Sequence, residues 1–189
     1  MTINEIFNSN NGFLSSKELT TRNQWYQLKK MIDTGMVVKL KSGLYCMQQF
    51  GITEQNKEVA QIIPSGVLCL FSAWQYFGLT IHNPFEYHIA INREKKIRIP
   101  SYPPIKIYRW SEKFYKLGII ETDSIKIYDI EKSVCDAVRF RNKVGMDIAI
   151  EVVRNYVRRR ESRNFDKLAK YSRELRIEKI MQNFIMPML

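Results

Sequence analysis

An α+β chain in two parts is predicted by three observations. Closely spaced helix starts at the front end in a β-hairpin, short β-type runs alternate with helices through the middle, and the last third is helical throughout. The first part is carried by Gly12 to Met47, GFLSSKELTTRNQWYQLKKMIDTGMVVKLKSGLYCM. Ser15 stands three residues before Glu18, and Thr21 three before Gln24. Both are capping-box patterns, in which each side chain satisfies a backbone N–H that has no partner at a helix start. Thr2 and Glu5 repeat the pattern ahead of Ile3, Ile6 and Phe7, and Leu14 and Leu19 flank the second box as a hydrophobic staple. Helices are therefore expected to start near residues 3, 16 and 22, with Gly35 as the left-handed residue that ends the third. Met36 to Leu40 and Leu44 to Met47 read as strands joined by a turn at Lys41-Ser42-Gly43. Helix, helix, helix, hairpin is the order of a winged helix-turn-helix, assigned to residues 1–48.

At 100° per residue, the third helix puts Trp25, Leu28, Met31 and Ile32 on one side and Asn23, Tyr26, Gln27 and Lys30 on the other. The second set suits a helix lying in a DNA major groove, with Asn23 and Gln27 able to pair with adenine and Tyr26 and Lys30 able to hold phosphates. Thr21, at the head of this helix, belongs to the same set. The hairpin adds Lys39, Lys41 and the backbone N–H groups of Ser42 and Gly43. The plain alternative is a three-helix cap whose polar face is solvated. The turn before the third helix is short and has no glycine, which leaves the angle between the helices open.

The formal charge of +11 is unevenly spread. Residues 1–50 carry +3, residues 51–138 carry +1 and residues 139–189 carry +7. Such an excess attracts polyanions and makes their binding salt-sensitive. A chain of 189 residues, 45% apolar, holds one or two packed cores. No apolar run approaches the ~20 residues a membrane span needs, and MTINEIFNSNNG lacks the pattern of a signal peptide. Cys46, Cys69 and Cys135 are odd in number and widely spaced, as buried thiols of a reducing compartment are. A cytoplasmic protein is the expectation.

Gln48 to Lys57 is polar and reads as a linker, placed at residues 49–57, leading into a helix from about Glu54 to Ile62 that stops at Pro64-Ser65-Gly66. The second part, residues 58–189, begins with Val67 to Phe77, apolar nearly all round and read as a buried helix ended by Gly78. Tyr87 to Asn92, Ile105 to Trp110 and Ser124 to Tyr128 read as strands. Helices follow at Ile130 to Arg141, at Asp147 to Arg159, and twice between Asp166 and Met188. The result is a mixed α/β domain with a helical C-terminal layer.

Asp129, Glu131, Lys132 and Asp136 put four charges at a strand-to-helix junction. Paired acids can hold a metal for phosphoryl transfer, but a capped helix start with local ion pairs accounts for them better. Glu94 in Arg93-Glu94-Lys95-Lys96, taken with Asp136, is the nearest approach to a metal-dependent nuclease. His82 and His88 lack partners at metal-ligand spacing, and there is no phosphate-binding glycine loop or nucleophile elbow. No enzyme, metal or cofactor is expected. Arg154, Arg158, Arg159, Arg160 and Arg163 form a dense basic run. It reads either as compensation of a helix C-terminus, with Asn164 capping the next helix, or as contact with a polyanion, either DNA or RNA.

Several segments together carry a family resemblance. The hairpin closes Lys41-Ser42-Gly43-Leu44-Tyr45, and Leu70-Phe71-Ser72-Ala73-Trp74-Gln75-Tyr76-Phe77-Gly78-Leu79-Thr80 follows. Then come His88-Ile89-Ala90-Ile91, Ile99-Pro100-Ser101-Tyr102-Pro103-Pro104, Tyr128-Asp129-Ile130-Glu131-Lys132-Ser133-Val134-Cys135-Asp136, and Arg139-Phe140-Arg141-Asn142-Lys143-Val144-Gly145. In order and spacing the chain resembles the AbiEi-type antitoxins of bacterial abortive-infection, or type IV toxin–antitoxin, systems. Trp74 stands where that family usually has Leu, and Ser133 where it usually has Thr. The resemblance spans nearly the whole chain. It implies an N-terminal winged helix that binds inverted repeats in double-stranded DNA and represses its own operon. It also implies a C-terminal antitoxin domain that counters a nucleotidyltransferase-like toxin without a stable complex. Two other classes stay open: a stand-alone regulator or interaction module with a basic RNA- or partner-binding tail, and the Glu94/Asp136 nuclease.

Overall fold

A computed structural model describes residues 1–48, 55–100, 102–122, 125–161 and 163–189, the side chains of 55–58 excepted. The protein is mixed α+β with two separate sheets. It divides into two compact units, Met1–Pro64 with Ile97–Pro104, and Ser65–Lys96 with Ile105–Leu189. The expected linker, residues 49–57, falls largely outside the described residues.

In the first unit, α1 (Ile3–Ser9) opens on the Thr2/Glu5 capping box. β1 (Phe13–Ser15) follows, then a single 3-10 turn at Ser16–Glu18, and α2 (Arg22–Asp33) opens on the Thr21/Gln24 box. The helix expected near residue 16 is thus one 3-10 turn, although its Ser15/Glu18 box is complete. The two N-caps are six residues apart, which leaves room for one turn and a reversal. Ser15 is moreover already held in a strand, paired with Leu44. β1 itself went unread because three residues show no alternation. Gly35 closes α2 at φ +73°, as a left-handed residue beyond a helix end should. β2 (Val37–Lys41) and β3 (Leu44–Met47) form the expected hairpin, and the antiparallel sheet runs β1-β3-β2. Gly43 needs to be glycine twice over. Its φ is +76°, and a Cβ there would lie 2.7 Å from Ser16 Oγ. Ile3, Ile6, Phe7, Leu14, Leu19, Leu28, Val37 and Tyr45 form the core of this unit, with both staple leucines inside it. α3 (Gln55–Ile62) completes it.

The second unit is built on the sheet order β6-β5-β4-β8-β7. Its strands are β4 (Val67–Leu68), β5 (Tyr87–Asn92), β6 (Ile105–Trp110), β7 (Ile119–Glu121) and β8 (Lys126–Tyr128). β4 pairs antiparallel with β5 and parallel with β8, β5 runs parallel to β6, and β7 closes the other edge antiparallel. Val67 and Leu68, expected as helix, are therefore the central strand, and α4 covers only Leu70–Tyr76. A short run that is apolar all round is the same in a buried strand and a buried helix, so periodicity could not separate them. The helices are α5 (Glu112–Lys116), α6 (Ile130–Arg139), α7 (Arg141–Val144), α8 (Met146–Arg158), α9 (Phe165–Glu174) and α10 (Glu178–Ile185). α6 packs against α4, α8, α9 and α10 at once, and every side chain from Glu131 to Val138 is buried. Val67, Trp74, Leu79, Tyr128, Val134, Val152, Tyr156 and Leu168 are among the residues of a large core. Cys46, Cys69 and Cys135 are all buried and none is in a disulfide. Among the described residues, no helix is long and apolar enough to cross a membrane.

Candidate nucleic-acid interface

α2 settles into its core through Gln24 and Leu28, not through Trp25 and Leu28. Gln24 is 7% exposed, whereas Trp25, expected inward, is 45% exposed. The cause is the cap. Gln24 Oε1 accepts from the backbone N–H of Thr20 at 2.8 Å and of Thr21 at 3.1 Å, and its Nε2 donates to the Met1 carbonyl at 3.0 Å. A buried amide so fully bonded costs little to bury, and it turns the helix. By helical geometry the outward direction shifts about 45° from the one expected. The face now centres on Tyr26, 69% exposed, with Arg22, Lys29, Lys30, Asn23 and Asp33 around it, all exposed. Gln27 is half-buried; with Asn23, Thr21, Ser9 and Asn10 it lines a groove on the α1 side. Arg22 and Lys29 join the exposed face for the same reason that Trp25 does: the pattern of apolar residues carries no sign that Gln24 is buried.

The hairpin divides its lysines. Lys39 is exposed, and Ser42 is exposed at the tip. A bulge between Lys39 and Lys41 rotates the strand end and sends Lys41 inward. Its ammonium donates to the Ile62 carbonyl at 2.6 Å, and burial pulls it below the ordinary lysine pKa. Gly43 uses its carbonyl, which accepts from Ser16 N–H at 2.8 Å. Of the nearby acids, Glu5 and Glu18 accept the N–H groups of Thr2 and Ser15 in their boxes, and Asp33 stays exposed at the end of α2. Arg22, Lys29, Lys30 and Lys39 thus dominate the free charge.

The basic run of the second unit also divides. Arg159 donates to the Phe77 carbonyl, just past α4, and Arg163 to the Val157 carbonyl in the last turn of α8, while its guanidinium sits 4.9 Å from the Phe165 ring centre. These two act as helix-end caps. Arg154, Arg158 and Arg160 are exposed. Asn164 caps α9 as expected, accepting from Lys167 N–H at 2.9 Å.

The charged junction before α6 is closed to solvent. Asp129 caps α6 through Lys132 N–H at 2.8 Å, and its other oxygen accepts from Tyr171 OH at 2.9 Å and lies 3.0 Å from Lys167 Nζ. Glu131 accepts from Asn164 N–H and from Tyr156 OH. Lys132, 0% exposed, is 2.6 Å from Asp136 and lies over the rings of Trp110 and Tyr128 at 4.3 and 4.4 Å. Burial pushes the Asp136 carboxyl above its ordinary pKa, against the opposing pull of Lys132 and Arg139. Asp136 is thus sealed in an ion pair, while Glu94 sits in an exposed turn. Among the described residues no group of three His, Cys, Asp or Glu side chains could hold a metal ion. His88 is buried against Tyr108 OH at 2.9 Å, and His82 lies 3.7 Å from Glu151.

No family model matches the chain, and no curated protein does. Among solved structures its two-part α+β fold is similar to that of the RV2827C protein from Mycobacterium tuberculosis. The TM-score is 0.59 at 10% identity, over 94% of this chain and 75% of that one. The likeness is one of fold.

Proposed function

We propose that this protein is a DNA-binding transcriptional repressor, the antitoxin of a type IV toxin–antitoxin system, which autoregulates its operon in the cytoplasm. The observation that carries the proposal is the surface of the first unit. Helix, strand, turn, helix and hairpin follow in the order of a winged helix, and α2 presents Arg22, Asn23, Tyr26, Lys29 and Lys30. With Lys39 on the hairpin they form a polar and basic surface with few acids, suited to phosphates and base edges. The AbiEi-like order of motifs, from the hairpin to the Tyr128–Asp136 junction, supports the antitoxin half of the reading. In it the second unit counters a nucleotidyltransferase-like toxin without a stable complex.

The test is a footprint of the purified protein on the DNA upstream of its own gene across a salt series. A protected inverted repeat that persists at physiological salt is expected. Diffuse binding that vanishes with salt would reduce the first unit to a scaffold. Relief of growth arrest by a neighbouring toxin, with no complex recovered, is the expected result for the second half.

A further inference from the structure

The second unit carries a surface for which the repressor reading has no use. α8 buries Ala149, Val152, Val153, Tyr156 and Val157 and turns Glu151, Asn155 and Arg159 toward residues 77–82. Asn155 Nδ2 donates to the Leu79 carbonyl at 2.9 Å, Ile81 N–H donates to Glu151 at 3.1 Å, and Arg159 donates to the Phe77 carbonyl. His82 lies 3.7 Å from Glu151, and Gln75 donates to Asn83 at 3.0 Å. A segment held at so many points can bury its apolar side chains. This one buries Leu79 and packs Phe77 on the core, yet it leaves three large apolar side chains out: Ile81 is 91% exposed, Phe85 99%, and Tyr76 nearly half. Single exposed apolar residues are ordinary, but three on one pinned stretch mark a contact surface.

Beside the row that holds this segment runs a second row on α8. Arg154 and Arg158 are one turn apart, and Arg158 points within about 20° of the direction of Glu151. Arg160 follows past the helix end. All three are exposed, and none makes a side-chain hydrogen bond or ion pair with the described residues. Glu151, the acid in the neighbouring row, is already engaged.

We propose that this face binds an unpaired stretch of RNA. Arginine pairs with phosphate and also stacks on planar rings, so a row of free arginines both attracts and orients a strand. Phe85 and Tyr76 offer rings on which bases can stack, and base faces are available only where a strand is unpaired, which is the usual state of RNA loops and ends. A duplex hides those faces. The proposal concerns the second unit alone and stands whether or not α2 reads DNA.

The test uses the full chain and a labelled oligouridylate of about 12 nucleotides, followed by fluorescence anisotropy. The single strand should bind about 10-fold more tightly than its duplex with oligoadenylate. Phe85→Ala should weaken the single strand about 10-fold and leave operator DNA and thermal stability unchanged. The double change Arg154→Gln, Arg158→Gln should flatten the salt slope for the single strand by about 1.4. Equal affinity for the duplex, preference for the corresponding DNA strand, or an unaltered affinity of Phe85→Ala would each overturn the proposal. So would an unchanged salt slope, or a matching loss for operator DNA in Phe85→Ala.

Discussion

Removing Lys39 and removing Lys41 should do different things to DNA binding, although the two lysines stand two residues apart on one strand. Four free cations face outward from α2 and the hairpin: Arg22, Lys29, Lys30 and Lys39. Each phosphate neutralised on duplex DNA contributes about 0.9 to the slope of log affinity against log salt, so four contribute about 3.6. Between 50 and 200 mM salt that slope alone lowers affinity about 150-fold. Lys39→Ala should bring the slope down to about 2.7 and the loss to about 40-fold. Lys41 is bonded to the Ile62 carbonyl, and its ammonium is partly withdrawn from solvent. Lys41→Ala should therefore leave the slope near its original value and instead lower the melting temperature, because the Ile62 carbonyl loses its donor. The assay is anisotropy on an operator duplex at several salt concentrations, with thermal melts alongside. If Lys41→Ala flattened the slope as much as Lys39→Ala, the division of the hairpin lysines would be wrong. If neither altered it, the hairpin would not touch DNA.

The other predictions concern specificity and the buried polar groups. Arg22→Ala should relax preference at particular base pairs as well as weaken binding, whereas Lys29→Ala should weaken all sequences alike; selection from a random duplex library distinguishes the two. Lys132→Ala strands Asp136 in the core and should cost about 3–5 kcal/mol by urea unfolding, while the paired change Lys132→Met, Asp136→Leu should recover most of it. Recovery failing entirely would mean that the aromatic cage of Trp110 and Tyr128 is what needs the cation. Burial pulls the His88 pKa down from its ordinary 6.5 to about 4, more than Glu86 raises it. The unfolded chain then binds the extra proton first, so stability is full above pH 6.5 and is lost as the pH falls toward 4, by about 3 kcal/mol in all. In His88→Gln that part of the acid limb of an unfolding-versus-pH curve should flatten.

Most of the local structure was legible because it is written in side chains that act on their own backbone. All three capping boxes are complete, Gly35 ends α2, and Asn164 starts α9. β5 and β6 lie where their residues predicted. What could not be read is what tertiary pairing decides. Ser15–Glu18 has a good helix start, yet β1 claims Ser15 and leaves only a 3-10 turn. Val67 and Leu68 are a central strand because β5 and β8 flank them, and nothing local says so. The exposed face of α2 is decided in the same way. Asn23, Tyr26 and Lys30 are exposed, as their spacing predicts, but Gln27 turns toward α1 and Lys41 toward Ile62, while Arg22 and Lys29 join the exposed face. One buried glutamine sets the rotation of the helix: its bonds to Thr20 and Thr21 belong to the legible capping box, but its bond to the Met1 carbonyl lies on another segment, and no count of apolar residues reveals that it is buried.

Caps and buried pairs also change what the net charge means. By sequence the excess sits in the last third, at +7, and the first fifty residues hold only +3. In the fold, Arg159 and Arg163 are spent on carbonyls and Lys167 on Asp129 and Glu131, which leaves Arg154, Arg158 and Arg160 free in that run. In the first unit the losses fall on the other sign, since Glu5 and Glu18 are held by their caps and the cations of α2 stay unpaired. Charge bound in caps and buried pairs is fixed to a partner and offers little to an incoming polyanion. The weaker excess therefore makes the stronger candidate for duplex DNA. Within the larger one, the basic run keeps three free arginines on a unit that also exposes Phe85 and Tyr76, a combination suited to a flexible strand and poorly suited to a rigid duplex.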